Sequence, residues 1–512
     1  MRAKNNQNRK GSNGMTRRSK DAALENQCAR GVNAPARASV AFTAVTIFSK
    51  LAALVFTPIF TRLLSTDEYG EYSLFTTSLS LLIVMGSLEL PGSVLQRVLQ
   101  SHKGYTNTAL LYANAITMLF SAIAFSIFLI FNRYFSLLSF PLLSFLLIVT
   151  LISSCLINLY NSAEKYLYHF GSTLISGAVQ SVLAPLLAIL MINSQALYGV
   201  HRVTLKLFTP AVISAVVAIA FFIITAVKAA RERRMASGEN CSRKEARASI
   251  VKKYFSLAIP MLPYYASVSV IAGADRFFIS TLFGSDALAK YSVAHSLGTA
   301  ISAVGAGVLS ALLPWIMRKI RANRIPTIRC VLDELSIAYA LFIICFLSVA
   351  DILLSFIAPT VYSEALAVVF ASTLCVLPLA LLQIASNVCV AKEKLRGIVI
   401  IGTACAAIAV LANAIILPHA SPFAAAVISA ACYSLLSVTM LLYTRRVCKE
   451  WILSPARLLA LEMLSVAAAF ILYSIQSVLI LRLFVFVISF ALLGILLWRS
   501  RGLILEKRGA EK

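Results

Sequence analysis

The sequence predicts an all-α, polytopic membrane protein of about fourteen transmembrane helices. It predicts two pseudo-symmetric six-helix lobes followed by two C-terminal helices. Three observations carry this reading. Of 512 residues, 59% are hydrophobic and 13% charged, with a mean hydropathy of +0.84. That is too little polar surface to cover a soluble chain of this length. Apolar runs of the length that crosses hydrocarbon, about 20 residues in a helix, recur along the chain. Basic residues collect in alternate connections between these runs, as they do on the cytoplasmic side of membrane proteins.

Residues 1–37 are polar and basic and contain no apolar core of a signal peptide. They read as a disordered cytoplasmic tail. Spans 1 to 6 follow at 38–60, 73–96, 105–131, 137–160, 171–192 and 207–227, and make an N-lobe over 38–227. Residues 228–254 hold nine Lys and Arg and read as a solvated cytoplasmic linker; the alternative is that they help to hold an anionic headgroup near the inner leaflet. Spans 7 to 12 follow at 255–282, 291–316, 335–358, 364–390, 397–417 and 422–443, and make a C-lobe over 255–443. Residues 444–512 supply spans 13 and 14, at 458–477 and 479–498, and a cytoplasmic tail. Pro141, Gly171, Pro359, Pro418 and Pro422 mark the turns. No segment has the alternation of an amphipathic strand, which excludes a β-barrel.

With the N-terminal tail inside and the spans alternating, 38 of the 46 Lys and Arg fall on inner segments. Six fall outside: Arg62, Arg133, Arg202, Lys206, Lys290 and Arg482. Lys50 and Arg276 remain within spans. A single miscounted span would invert every later loop, so the asymmetry supports fourteen spans with both termini cytoplasmic. The net charge of +25 is then a membrane signal and does not imply nucleic acid. The ten cysteines show neither CxxC nor metal-ligand spacing, so a structural disulfide or metal site is not expected.

The segment from Thr61 to Tyr72, TRLLSTDEYGEY, joins the first two spans on the outer side. Part of it recurs 219 residues later. Leu63 matches Leu282, Asp67 matches Asp286, Tyr72 matches Tyr291 and Ser73 matches Ser292. The offset spans an even number of crossings, so the two lobes share one orientation and are related by an axis along the membrane normal. Two such lobes around a central cavity are the architecture of an alternating-access carrier.

Two stretches resemble the Wzx-type flippases of polysaccharides and lipid-linked oligosaccharides, in the multidrug/oligosaccharidyl-lipid/polysaccharide (MOP) exporter superfamily. One runs from Phe48 to Phe75 and holds Thr-Arg-Leu-Leu followed by Glu-Tyr-Gly-Glu-Tyr. The other runs from Ser256 to Leu297 and holds Ala-Asp-Arg followed by Ile, Gly and Tyr-Ser. The resemblance implies a transporter rather than an enzyme, without cofactor, in the cell (inner) membrane. Its substrate would be a glycan on a polyprenyl diphosphate, moved from the inner to the outer leaflet for capsule, exopolysaccharide or O-antigen-like assembly. Its partners would be membrane lipids, a polysaccharide polymerase and glycosyltransferases. Fourteen spans also resemble the peptidoglycan-precursor flippases, and a MATE-like drug or cation efflux carrier is a further alternative, as is a scaffold without transport.

Such a substrate needs cations for its diphosphate and a lateral opening for its tail, because neither the anion nor the glycan crosses hydrocarbon alone. Charges inside spans are the candidates. Lys50 lies in span 1 and either faces the cavity or pairs with Glu89 of span 2. Glu89 precedes Pro91 and Gly92, which predict a kink. Arg276 is the foremost diphosphate ligand, since a guanidinium fork matches phosphate oxygens. The alternative is an Asp275–Arg276 element that locks span 7 to its neighbours. Neighbouring residues do not face each other on a helix, so their side chains should find different partners. Arg97 stands near the inner leaflet, where the headgroup enters. Arg62, Asp67, Gly70, Tyr72, Asp286 and Tyr291 are expected to pack and hinge an outer gate. His295 reads as a hydrogen-bonded packing residue, and Glu462 of span 13 shows no obvious partner. There is no GxxxxGK[ST] loop, so ATP-driven transport is not expected.

Overall fold

The computed structural model describes residues 48–509, apart from 50, 51, 54, 103, 104, 136–140, 168–170, 195–200, 236–239, 323 and 393. The N-terminal tail, Lys50 and most of the first predicted span lie outside the described residues. Among those described, all regular structure is helical. Eleven helices are long and apolar enough to cross a membrane, or up to twelve if one bent pair counts as a span. One of the eleven, Ala248–Leu309, is far longer than a single crossing needs. It breaks at Gly284, whose φ of 84° and ψ of −178° only glycine adopts without strain. With its two arms counted separately, and with the described end of span 1, the helices fall in the order expected of fourteen spans.

The elements are α1 (residues 55–63), α2 (Thr66–Ser87), α3 (Leu90–Ser101), α4 (Thr106–Phe135), α5 (Pro141–Tyr166), α6 (Gly171–Ile192) and α7 (Arg202–Met235). The second half has α8 (residues 240–283), α9 (285–300), α10 (Ser302–Arg321), α11 (Ile325–Ser348), α12 (Ala350–Ile357), α13 (Leu366–Thr373), α14 (Val376–Ala391), α15 (Leu395–Ile416) and α16 (Pro422–Cys448). Helices α4 to α7 pack among themselves and against α2, whereas α8 to α16 form a second bundle. The main bridge between the two is α2 against α8 and α9.

Local sequence explains the main breaks. Ser65 caps α2 by accepting the Glu68 N–H at 3.2 Å, while Glu68 reaches back to the Ser65 N–H at 2.8 Å. This reciprocal box satisfies two otherwise orphaned donors. The kink expected at Pro91 and Gly92 is present, as a 59° bend between α2 and α3. The turn itself comes earlier, at Leu88 and Glu89, both left-handed with φ of 50° and 51°. Such a conformation is uncommon for residues other than glycine. The Ser87 hydroxyl accepts the Glu89 N–H at 3.2 Å, and the Glu89 carbonyl accepts the Gly92 N–H at 3.2 Å.

The polar stretch at 228–254 departs from the linker reading. Its first part continues α7 as helix to Met235, and the residues from Asn240 onward begin α8. Glu232, within that extension, caps the start of α4. One carboxylate oxygen accepts the Asn107 N–H at 3.0 Å and the other accepts the Thr108 N–H at 2.9 Å. An anion at a helix N-terminus is stabilised by the free N–H groups and by the helix dipole.

Two assignments from charge counting are corrected. Lys206 is expected in an outer connection, and Arg482, near the start of span 14, is counted with the outer side. Lys206 instead sits in α7, which starts at Arg202, and is only 4% exposed. Arg482 lies in α18 (Leu479–Gly509) and ion-pairs with Asp351 of α12. At Lys206 the helix extends past the apolar run, and at Arg482 the charge lies inside the run; in both cases a buried partner lets the charge enter the helix. Helices α17 (Pro455–Ser474) and α18 lie against α11 of the second half. Arg457 ties α17 to α11 through Asp333 at 3.0 Å, and Arg482 ties α18 to α12 through Asp351.

Removing one member of a buried ion pair leaves the other uncompensated. Asp351→Ala should therefore lower stability by roughly 3 kcal/mol, the low end for buried pairs because Asp351 is partly exposed. Thermal unfolding of purified protein in detergent measures this. The double variant Asp351→Ala, Arg482→Met should recover most of the loss.

Candidate functional site at the junction of the two halves

The two halves meet where α1 and α2 face α8, α9 and α12. The hydroxyls of Ser73 and Ser292 are 2.5 Å apart. They are separated by 219 residues, the offset of the internal repeat. Two residues related by a twofold rotation touch only on its axis, so this pair marks the pseudo-symmetry axis at the junction. Gly70 lies directly on the Ser285 backbone, where any Cβ would overlap the Ser285 carbonyl. Small residues permit such close approach between membrane helices. Thr61 donates to the Ile357 carbonyl at 2.8 Å, and Arg62 donates to the carbonyls of Pro58 at 2.9 Å and Phe356 at 3.2 Å. Tyr69 meets Tyr362 edge-on at 6.5 Å between ring centroids.

The repeat-matched residues are not all used alike. Asp67 is exposed in the first turn of α2, where its charge faces the free N–H groups. Asp286 accepts from the Thr66 hydroxyl and pairs with Lys290 at 3.3 Å. Lys290 also reaches Glu364 at 2.9 Å. Tyr72 lies with its ring centroid 3.2 Å from the Lys206 ammonium. Tyr291 instead donates its hydroxyl to the buried Asp275 carboxylate. The same tyrosine position thus meets a cation in one half and an anion in the other.

Asp275 and Arg276 find different side-chain partners, as expected of neighbours. The Asp275 Oδ1 accepts the Arg276 backbone N–H at 2.8 Å, and the Arg276 guanidinium donates to the Ala272 carbonyl at 3.0 Å. Arg276 is half-buried and acts electrostatically on Tyr69, Tyr291 and His295. His295 stacks on Tyr291 at 5.5 Å and its Nδ1 lies 3.0 Å from the Ser372 hydroxyl, a hydrogen-bonded packing residue. Beyond Arg276, Phe277 and Phe278 line an apolar cleft of about 380 Å³ between α2, α4 and α8. Its rim includes the exposed Ile127 and Phe131.

Glu89 and Arg97 belong to a different level. Both act electrostatically on Tyr265 of α8. Tyr265 precedes Arg276 by eleven residues, roughly 16 Å along a helix. The structure thus groups Arg276, Asp275, Tyr291, Tyr72, Gly70 and Arg62 at the junction, and places Glu89 and Arg97 well below it. Glu462, without an evident partner in the sequence, is half-buried and bonds the Ser434 hydroxyl. Lys206 is the residue that sequence reasoning missed. Its signal in the sequence is a lone charge in the stretch from Val203 to Phe208, at the edge of the span expected at 207–227.

In the double variant Ser73→Cys, Ser292→Cys, mild oxidation should join the two introduced thiols, as followed by the shift of the cross-linked species on a gel. Adding Gly70→Val should cut the yield severalfold, because its side chain wedges α2 away from Ser285.

Comparison with known proteins fits this geometry. Among solved structures the chain is similar to the lipid II flippase MurJ in an inward closed conformation, at 11% identity and a TM-score of 0.61. The match covers 90% of this chain and 99% of that one. It is also similar to inward-facing and outward-facing structures of a multidrug resistance MATE family transporter of the MOP superfamily, at 13% and 12% identity and TM-scores of 0.56. Those matches cover 83% and 84% of this chain and 99% and 97% of the others. At such identities the likeness is one of fold. No curated protein matches the chain. Residues 36–319, over half of the sequence, match the polysaccharide biosynthesis protein family, and the chain belongs to that family.

Proposed function

We propose that the protein is a flippase that moves a glycan on a polyprenyl diphosphate from the inner to the outer leaflet by alternating access. The observation that carries this reading is the junction closed by repeat-matched residues, Ser73 on Ser292, in a chain of a polysaccharide biosynthesis family. In this reading the junction is the outer gate, both termini are cytoplasmic, and the protein sits in the inner membrane. No bond is made or broken. The work is to lower the cost of carrying an anion and a polar glycan through hydrocarbon.

Arg97 meets the diphosphate near the inner leaflet, with Lys50 as a further cation of span 1. Arg276 receives it one level higher, beneath the gate. A guanidinium suits this task because its planar fork matches two phosphate oxygens at once. The isoprenoid tail stays in lipid, which requires lateral clefts such as the one beside Phe277 and Phe278. The membrane potential, negative inside, favours outward movement of the anion. A polymerase and glycosyltransferases would act before and after this step. A cation-efflux reading is less well supported, since the buried Asp275 carboxylate is occupied by Tyr291.

Cells lacking the protein and any paralogue should accumulate lipid-linked repeat units on the inner leaflet and lose surface polysaccharide. Arg97→Ala and Arg276→Ala should each cut export roughly tenfold or more, the worth of a charge-assisted hydrogen bond, at unchanged membrane abundance. Full export in both variants would sink the cationic-cavity account. Oxidative cross-linking of the Ser73→Cys, Ser292→Cys variant should stop export, and a reductant should restore it.

A further inference from the structure

We propose that the Lys206 ammonium holds the outer gate closed by gathering three aromatic rings from two other helices. This inference rests on the reading of the junction as a gate. Lys206 is 4% exposed, and its Nζ lies 4.3 Å from the Phe60 ring centroid, 4.7 Å from that of Tyr69 and 3.2 Å from that of Tyr72. Phe60 belongs to α1, Tyr69 and Tyr72 to α2, and Lys206 to α7. Among the described residues no carboxylate stands within ion-pair distance of it. An ammonium in an apolar bundle without a carboxylate is costly and calls for a role. The faces of aromatic rings carry negative potential and are the compensation that the site provides.

The position of the rings makes this a gate element. Tyr69 is the ring that meets Tyr362 across the junction. Ser73, next to Tyr72, is the residue that meets Ser292. Gly70, next to Tyr69, lies on Ser285. One cation therefore fixes the side chains that flank these close contacts of α2 across the junction. Arg202, one turn earlier on α7, donates to the Leu63 carbonyl at 2.9 Å and secures the end of α1. Rocking of the first half then carries α1, α2 and α7 together.

The repeat isolates what is peculiar to Lys206. Its offset carries Lys206 onto Ala425 and Asp275 onto Phe56, so neither charge has a counterpart in the other half. The second half fastens its tyrosine, Tyr291, with a carboxylate instead. Lys206 is thus a positioning residue of the first half and not a ligand for the substrate in the closed state.

The test uses the full-length protein with Ser73→Cys as a reporter. The introduced thiol should react slowly with a membrane-impermeant maleimide, because position 73 is sealed by the junction. Lys206→Met keeps the length of the stem and suits hydrocarbon better than lysine, yet removes the charge. It should speed labelling at position 73 by roughly tenfold or more, the scale of a desolvated cation–π contact. Lys206→Arg keeps a cation able to stack on the rings and should restore slow labelling. Should Lys206→Met fail to reach the membrane, Tyr72→Leu removes the nearest ring and should also accelerate labelling. Labelling at position 73 as slow in Lys206→Met and Tyr72→Leu as in the Lys206 background overturns the proposal. So does equal acceleration in Lys206→Arg. The readout needs no substrate, so it stands apart from the flippase reading. Right-side-out and inside-out vesicles test separately which face the gate opens to.

Discussion

Two hydroxyls 2.5 Å apart at Ser73 and Ser292 set the terms for everything around them. Residues related by an axis can touch only on it, and only if nothing bulky stands nearby. Gly70 must lack a side chain because Ser285 occupies the space. Gly273 is confined less tightly, since a Cβ there would lie 3.0 Å from the Thr77 methyl. The hydrophobic effect gives helices in lipid no reason to prefer each other over acyl chains, so close packing of small residues does the joining. The break at Gly284 serves the same contact by bringing α9 back against α2.

Charges inside the bundle fall into two groups. Lys206, Asp275 and the Arg482–Asp351 pair are each engaged by a ring, a phenol or an opposite charge, and each fastens one helix to another. Arg276 and Arg97 are half-buried instead. The Arg276 guanidinium donates to a carbonyl of its own helix, the one bond recorded for it among the described residues out of its five N–H donors. The first group builds the scaffold and the second supports the transport reading.

The fold was legible because its signals are long. Fourteen apolar runs and an alternating distribution of Lys and Arg extend over the whole chain, so a local error does not erase them, and a short repeat at a fixed offset relates the two halves. The repeat pairs Ser73 with Ser292, which the structure then shows in contact; Pro91 and Gly92 foretold the bend. Much of the site was less legible. The matched aspartates, Asp67 and Asp286, differ in surroundings that the sequence hides, since Asp286 accepts from the Thr66 hydroxyl of the other half and shares Lys290 with Glu364. Lys206 was assigned to a loop because hydropathy penalises a lysine without regard to what it meets, and its rings come from residues more than 130 positions away. The Glu232 cap on α4 was equally hidden within a run of charges.

Tyr72 and Tyr291 have a consequence for how such a protein can be assembled. A homodimer of one six-span half would place the same side chains on both sides of the axis. Both copies of the tyrosine at the junction would then meet a lysine, or both an aspartate. Fusion of the halves into one chain lets each copy carry its own sign, Lys206 on one side and Asp275 on the other. The symmetry of the backbone survives while that of the electric field is lost. A single chain can thereby change the two sides of the junction separately, one substitution at a time.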